Sequence, residues 1–114
     1  MVLGPQAEKV NNWAIKIYGP QSTWGIPATL DDHFYRHGKD FNSKNINDYT
    51  NKANKFYKNQ NKYENFVGID GNTRVYDSNT NTFGSYNPDG TTKTFMKPTS
   101  KNYWQNQINR WKVK

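Results

Sequence analysis

Apolar residues recur at helical spacing in three stretches of the first sixty residues, over residues 6–18, 29–38 and 43–60. The second stretch is predicted to begin with a capping box opened by Thr29, whose side chain would accept from the backbone of the first turn. Gly38 is predicted to end that helix, because glycine adopts the left-handed conformation that closes helices. The first half of the chain is therefore predicted to be helical.

After residue 62 the pattern changes to short segments rich in aromatic and β-branched residues. These segments cover residues 63–69, 73–77, 82–87 and 91–97, and Asn, Asp and Gly separate them. Strands of this length joined by tight turns predict an antiparallel β-meander. A last helical stripe follows Pro98, with Ser100 as its candidate cap. The predicted fold class is α+β: N-terminal helices, a four-stranded antiparallel β-meander and a C-terminal helix.

Alternation along the strands predicts which side chains share a face of the sheet. Val67, Ile69 and Val75 are expected to pack against the helices, as is Phe95. The opposite, open face is then expected to carry Arg74, Tyr76, Thr92, Thr94 and Met96.

The composition favours a polyanionic partner. Sixteen Lys and Arg stand against nine Asp and Glu, and the net charge of the 114-residue chain is +7. Only 32% of the residues are apolar but 16% are aromatic, so the core is expected to be built from rings. Cysteine is absent, which excludes disulfides and thiolate chemistry. No apolar run reaches membrane-spanning length.

The two histidines, His33 and His37, are spaced to lie on one helix face. A purely structural role is one interpretation. A zinc pair is a second, although the H-E-x-x-H motif would need glutamate where Phe34 stands. A nuclease of the His-metal-finger type is a third, and its further ligands are not evident. The fourth is general acid–base catalysis of RNA cleavage, in which the 2′-hydroxyl attacks its own phosphorus and no metal-activated water is needed.

Arg74 offers a planar, permanently charged fork that matches a phosphate. Tyr76 can stack on a base or donate to a phosphate oxygen, and Thr94 can supply a hydroxyl contact. Candidate RNA-binding lysines are Lys93 and Lys97 at the rim of the sheet, and Lys55 and Lys58 on a helix face. The alternative interpretation of that helix face is a solvent-exposed surface without a binding role.

Six short motifs also carry a resemblance. They are His33-Phe34-x-x-His37-Gly38-x-x-Phe41, Tyr49-x-x-x-Ala53-x-x-Phe56, Arg74-x-Tyr76-Asp77, Thr82-Phe83-Gly84, Asn87-x-Asp89-Gly90-x-x-x-Thr94-x-x-Lys97-Pro98 and Tyr103-Trp104-x-x-Gln107. In this order they resemble the C-terminal toxin domains of bacterial polymorphic and contact-dependent inhibition toxins, over about residues 30–108.

The resemblance implies a ribonuclease of the group related to barnase, colicin D and the RelE toxins, whose members commonly cleave tRNA without a metal or other cofactor. Carried over by position, the catalytic candidates are His37 first, then His33, Arg74, Tyr76 and Thr94. The resemblance also implies a cognate immunity protein, expected to be acidic.

The expected organisation is a toxin domain over residues 29–114, preceded by a helix and linker over residues 1–28, for which the remnant of an entry region is one interpretation. A monomer is expected, delivered as part of a larger effector into the cytoplasm of a target cell. Two other functions compete with this one: a metal-dependent DNase toxin, and a basic binding module without catalysis. The ribonuclease hypothesis requires the two imidazoles and the Arg74 guanidinium to converge on one phosphate.

Overall fold

Helices and strands follow one another as the pattern predicts. A computed structural model describes residues 19–113, and the helix predicted over residues 6–18 lies outside them. Three helices, α1 (Pro27–His37), α2 (Ile46–Lys58) and α3 (Tyr103–Trp111), enclose a sheet of four strands. The strands are β1 (Glu64–Val67), β2 (Thr73–Asp77), β3 (Thr82–Tyr86) and β4 (Thr92–Met96). The predicted α+β fold is confirmed.

Helix α1 begins two residues before the predicted capping box. Pro27 occupies its first turn, where a missing N–H is harmless, and Ile26 is the N-cap residue. The Thr29 hydroxyl donates to the Ile26 carbonyl (2.9 Å) and accepts from the Trp24 indole (3.0 Å). The capping-box prediction was wrong, because Thr29 ties the helix to the preceding loop instead.

Gly38 does not end the helix in a left-handed conformation, as was predicted. Its backbone is right-handed (φ −58°, ψ −40°), and the chain continues through a 3₁₀ turn over Gly38–Phe41. Asn42 takes the left-handed position instead, with φ 52°. A Cβ at residue 38 would lie 2.7 Å from the Phe34 ring, so close packing is what requires glycine here.

Helix α2 is held between a polar cap and an aromatic core. The Asn45 side chain accepts from the Asp48 N–H (2.8 Å), which caps the helix. Tyr49 is fully buried, and its hydroxyl donates to the Phe95 carbonyl (2.5 Å). The Tyr86 hydroxyl likewise donates to the Ala53 carbonyl (2.8 Å). Rings fill the space between helix and sheet, and their hydroxyls satisfy backbone carbonyls there.

The sheet is an antiparallel meander in the order β1-β2-β3-β4. Register places Val75 opposite Gly84 and Gly84 opposite Phe95, and this row faces α1 and α2. Because side chains alternate, the neighbouring row of Arg74, Ser85 and Thr94 points to the other face. Helix α3 covers that second face over β1, β2 and β3.

The outer end of the sheet departs from the prediction at Val67 and Ile69. Both were expected in the core, yet 61% of Val67 and 66% of Ile69 are exposed. Helix α2 packs on β3 and β4. Strand β1 is the edge strand at the other end of the sheet. The face that Val67 shares with Val75 is therefore left uncovered at this edge.

The opposite edge, β4, is irregular and partly covered. Thr92 forms a parallel bridge with Trp24, and its carbonyl accepts from the Gly25 N–H (2.9 Å). The β3–β4 register shifts so that Lys93 has no partner residue on β3. This bulge changes which side chains of β4 reach the edge.

Candidate functional site

A pocket of about 160 Å³ lies beside β4, at the edge approached by α1. Helix α1, the loop before it and the bulged start of β4 all contribute to its walls. The lining residues that carry chemistry are Trp24, His33, Asn87, Thr92, Lys93 and Thr94. We call this set the histidine pocket.

His33 is held in the wall of the pocket by ring packing. Its imidazole lies 5.1 Å from the Trp24 ring, centroid to centroid. Burial, together with the positive charges of Arg36 and His37, lowers the pKa of His33 below its ordinary 6.5. The ring is therefore neutral at pH 7, the state in which an imidazole accepts a proton.

Two buried polar atoms of the histidine pocket have no hydrogen-bond partner among residues 19–113. They are Nδ1 of His33 and Oγ1 of Thr92, whose residue is only 1% exposed. Buried polar atoms are nearly always paired, because an unpaired one costs about 1–3 kcal/mol. Both residues line the histidine pocket, so its walls contain two unsatisfied polar groups.

Lys93 brings a positive charge to the same pocket. It is the bulge residue of β4, its side chain is exposed, and the structure assigns its ammonium group no ion pair within the part of the chain it describes. Thr94, the next residue, also lines the pocket. An imidazole, an ammonium group and two threonines thus surround one space.

His37 lies one turn beyond His33, and their ring centroids are 5.9 Å apart. It is half-buried and is not part of the pocket lining. Burial first, and the Arg36 charge second, lower the pKa of His37 as well. Sequence reasoning placed His37 ahead of His33, whereas the structure places His33 at the pocket and His37 behind it.

Arg74 lies on the other face of the sheet and does not meet the histidines. Its guanidinium forms a bidentate pair with Asp70 (2.8 Å for each bond), and its Nε donates to the Gln107 side chain (2.9 Å). The Trp111 ring lies 4.5 Å from the guanidinium carbon. With the residue only 5% exposed, Arg74 holds α3 on the sheet rather than presenting a fork to a phosphate.

Tyr76 is engaged with α3 in the same way. Its ring stacks on Trp104 (5.4 Å, 16°) and its hydroxyl donates to the Asn81 side chain (2.8 Å). Two strand spacings of about 4.8 Å separate Arg74 from Thr94 in their shared row. The predicted convergence of His33, His37 and Arg74 on one phosphate is therefore corrected: of the predicted catalytic set, only His33 and Thr94 line one pocket.

The four predicted RNA-binding lysines are distributed over two regions. Lys93 lines the histidine pocket, and Lys55 lines a second pocket between α2 and the β2–β3 turn. Lys97 donates to the Thr80 carbonyl (2.6 Å) and the Thr82 hydroxyl (3.1 Å) beside that second pocket. Lys58 is exposed near the end of α2.

Trp24, Asn87 and Thr92 are pocket residues that sequence reasoning missed. Trp24 was expected among the core rings, but it stands in a loop between Gly19-Pro20 and Gly25-Ile26-Pro27, where no periodicity indicates which elements it contacts. Thr92 was expected on the open face with Thr94, and the bulge at Lys93 breaks that alternation. In a strand of five residues, a bulge cannot be recognised from the alternation of polar and apolar positions.

No protein-family model matches the chain, and no curated protein matches it. Within residues 19–113, no three His, Cys, Asp or Glu side chains are grouped so that they could hold a metal ion. None of the helices in that range is long and apolar enough to cross a membrane.

Proposed function

We propose that this chain is an endoribonuclease that cleaves RNA by attack of the 2′-hydroxyl on the adjacent phosphorus, with His33 as the proton-transferring group and no metal ion. The observation that carries the proposal is the histidine pocket, where His33, Thr92 and Lys93 line one small space and the buried Nδ1 of His33 and Oγ1 of Thr92 have no hydrogen-bond partner among residues 19–113. This arrangement replaces the site predicted around Arg74.

The chemistry assigns each group one task. Neutral His33 takes the proton of the 2′-hydroxyl, whose oxygen then bonds to phosphorus. The bond from phosphorus to the 5′-oxygen breaks, and that oxygen takes a proton from water, while the protonated His33 returns its proton to the solvent. His37 does not line the pocket, and its pKa is lowered like that of His33. Lys93 and the threonine hydroxyls stabilise the charge that develops on the phosphate oxygens. The products are a 2′,3′-cyclic phosphate and a 5′-hydroxyl.

The substrate and the biological setting follow from charge and from the sequence resemblance. A net charge of +7 favours a polyanion. The resemblance to toxin domains of polymorphic toxins favours tRNA as the RNA, and delivery of a monomeric domain by a larger effector into the target-cell cytoplasm. Inhibition by an acidic immunity protein would follow from charge complementarity.

The test is incubation of the purified protein with total bacterial RNA in EDTA, followed by mapping of the fragment ends. We expect cleavage with 2′,3′-cyclic phosphate ends. His33→Ala should lower the cleavage rate at least 100-fold, since general acid–base catalysis contributes about 10²–10⁴. Tyr35→Ala is the matched control on the same helix, because Tyr35 is 85% exposed.

Three results would reject the proposal, each in a different way. Full activity of His33→Ala would remove the histidine pocket from the mechanism. Cleavage of DNA that depends on a divalent metal would favour the DNase alternative. RNA binding without any cleavage at high protein concentration would favour a binding module.

A further inference from the structure

A second pocket, of about 260 Å³, lies between α2 and the β2–β3 turn and takes no part in the mechanism above. Its floor is apolar, and charged side chains stand at its rim. Its lining includes four rings and two charged side chains: Phe41, Phe56, Tyr63 and Phe95, with Lys55 and Asp77. We call this set the ring pocket.

The floor of the ring pocket consists of two stacked pairs of rings. Phe56 and Tyr63 lie 4.8 Å apart at an interplanar angle of 29°. Phe41 and Phe95 lie 4.0 Å apart at 15°. Surfaces of this kind favour flat aromatic ligands, as in proteins that stack unpaired bases on aromatic side chains.

The rim offers one cation and one fixed acceptor. The structure records no hydrogen bond or ion pair of the Lys55 ammonium group with the residues it describes, whereas the neighbouring Lys52 is bound to Asp48 (3.2 Å) and to the Phe41 carbonyl (2.6 Å). The Asp77 carboxylate is oriented by the Asn79 N–H (3.0 Å) and a threonine hydroxyl. A base with N–H donors can meet Asp77, and a phosphate can meet Lys55.

The two pockets lie along the same strand. Thr94 lines the histidine pocket and the next residue, Phe95, lines the ring pocket. Between the two pockets stands Tyr49, whose ring centroid is 5.7 Å from those of Trp24 and Phe95 alike. Strand β4 therefore contributes to both pockets, and the fully buried Tyr49 packs between them.

We propose that the ring pocket binds one unpaired nucleotide of the RNA substrate, with its base against the rings and its phosphate at Lys55. The proposal rests on the ribonuclease function and deepens it, because it makes the substrate single-stranded where it contacts α2 and the β2–β3 turn. The occupant is chosen by size and charge: the space fits one base, and the group left without a partner at the rim is a cation.

The experiment measures binding separately from cleavage. The probe is a short 2′-O-methyl RNA, which has no free 2′-hydroxyl and cannot be cut by the proposed route, carrying one 2-aminopurine. Affinity and 2-aminopurine fluorescence are recorded over a range of salt concentrations. The variants are Lys55→Gln, Tyr63→Leu and Tyr63→Phe, and the control is Lys101→Gln, an exposed lysine that lines neither pocket. Circular dichroism checks that each variant is folded.

We expect Lys55→Gln to reduce the slope of log affinity against log salt by about 0.7, the value for one phosphate contact on a single strand. Tyr63→Leu should weaken binding about tenfold and reduce the quenching of 2-aminopurine, since one stacked base contributes roughly that much. Tyr63→Phe keeps the ring and should bind like the wild type, as should Lys101→Gln.

Equal salt slopes for Lys55→Gln and Lys101→Gln would overturn the proposal, as would unchanged affinity of Tyr63→Leu. If the wild type cleaves natural RNA while these variants bind normally, only the ring pocket is refuted. If the wild type cleaves nothing while the variants lose binding, the ribonuclease function is refuted and the ring pocket remains a nucleotide site.

Discussion

Removing the negative charge of Asp70 should loosen α3 from the sheet. Asp70 accepts both bonds of the Arg74 guanidinium and also accepts from the Asn72 backbone (3.2 Å) and side chain (3.1 Å). In the Asp70→Asn variant the amide cannot accept two guanidinium bonds. Arg74, whose side chain is only 6% exposed, then keeps its positive charge without a counterion. The variant therefore tests whether this pair fastens the C-terminal helix.

The size of the effect follows from the ionisation of Asp70. Hydrogen bonds from Arg74 are the main reason that the pKa of Asp70 falls from 3.8 to about 2. A tenfold change in proton affinity corresponds to about 1.4 kcal/mol. Because 22% of the Asp70 side chain is exposed, solvent screens part of the interaction. We expect the free energy of unfolding to fall by about 2 kcal/mol at pH 7, which lowers the Tm by roughly 8 °C.

The pH dependence has a definite sign. The folded-state pKa of Asp70 lies below that of the unfolded chain, so its stabilisation is complete above about pH 4 and is lost as the pH falls towards 2. Urea denaturation at pH 7 and at pH 2.5, followed by tryptophan fluorescence, measures the difference between wild type and variant at each pH. Asp31→Asn, at an exposed position on α1, is the control.

A difference at pH 7 below 0.5 kcal/mol (roughly the effect of an ordinary surface substitution) would refute this role of the pair. A difference that is as large at pH 2.5 as at pH 7 would show that shape, and not charge, is responsible. Well below its Tm, Asp70→Asn should still cleave RNA, because Arg74 lies on the face of the sheet away from the histidine pocket.

Three further predictions concern stability. Tyr86→Phe removes a fully buried hydroxyl that donates to the Ala53 carbonyl, and it should cost about 1–2 kcal/mol in urea denaturation, whereas Tyr35→Phe should cost nothing measurable. Asn42→Ala should cost about 1 kcal/mol in the same assay, because alanine disfavours the left-handed backbone at φ 52°. Burial lowers the folded-state pKa of His33, so the unfolded chain binds more protons below about pH 6.5 and the free energy of unfolding falls as the pH is lowered there. His33→Gln should make this fall between pH 7 and pH 5 shallower. The same dependence of the free energy of unfolding on pH in variant and wild type would contradict this.

The sequence was sufficient for the order of elements because each element has its own local signal. The change from helical spacing to alternation after residue 62, and the Asn, Asp and Gly turns, locate all four strands to within one or two residues. The aromatic core followed from composition, since so few aliphatic residues remain to fill a core.

Non-local contacts account for what the sequence did not reveal. Gly84 sits in a strand because a Cβ there would lie 2.4 Å from the Tyr86 hydroxyl, a contact that no spacing rule predicts. Alternation correctly placed Arg74 opposite the core, but it carried no information that α3 would cover that face. The site was therefore predicted on a face of the sheet that α3 covers. The histidine pocket lies instead at the β4 edge, beside the bulge at Lys93.

The two edges of the sheet differ in how readily they accept another strand. At β4, the Thr92 carbonyl is already bonded to the Gly25 N–H, and the bulge interrupts the register of the strand. A neighbouring chain that paired there would also contact the charge of Lys93. At β1, none of residues 19–113 pairs on the outer side, the ladder with β2 is regular, and Val67 is mostly exposed. Native sheets commonly use bulges and lysines to prevent growth by strand addition. This chain protects its β4 edge in that way, so unwanted intermolecular β-pairing is directed to β1, away from the histidine pocket.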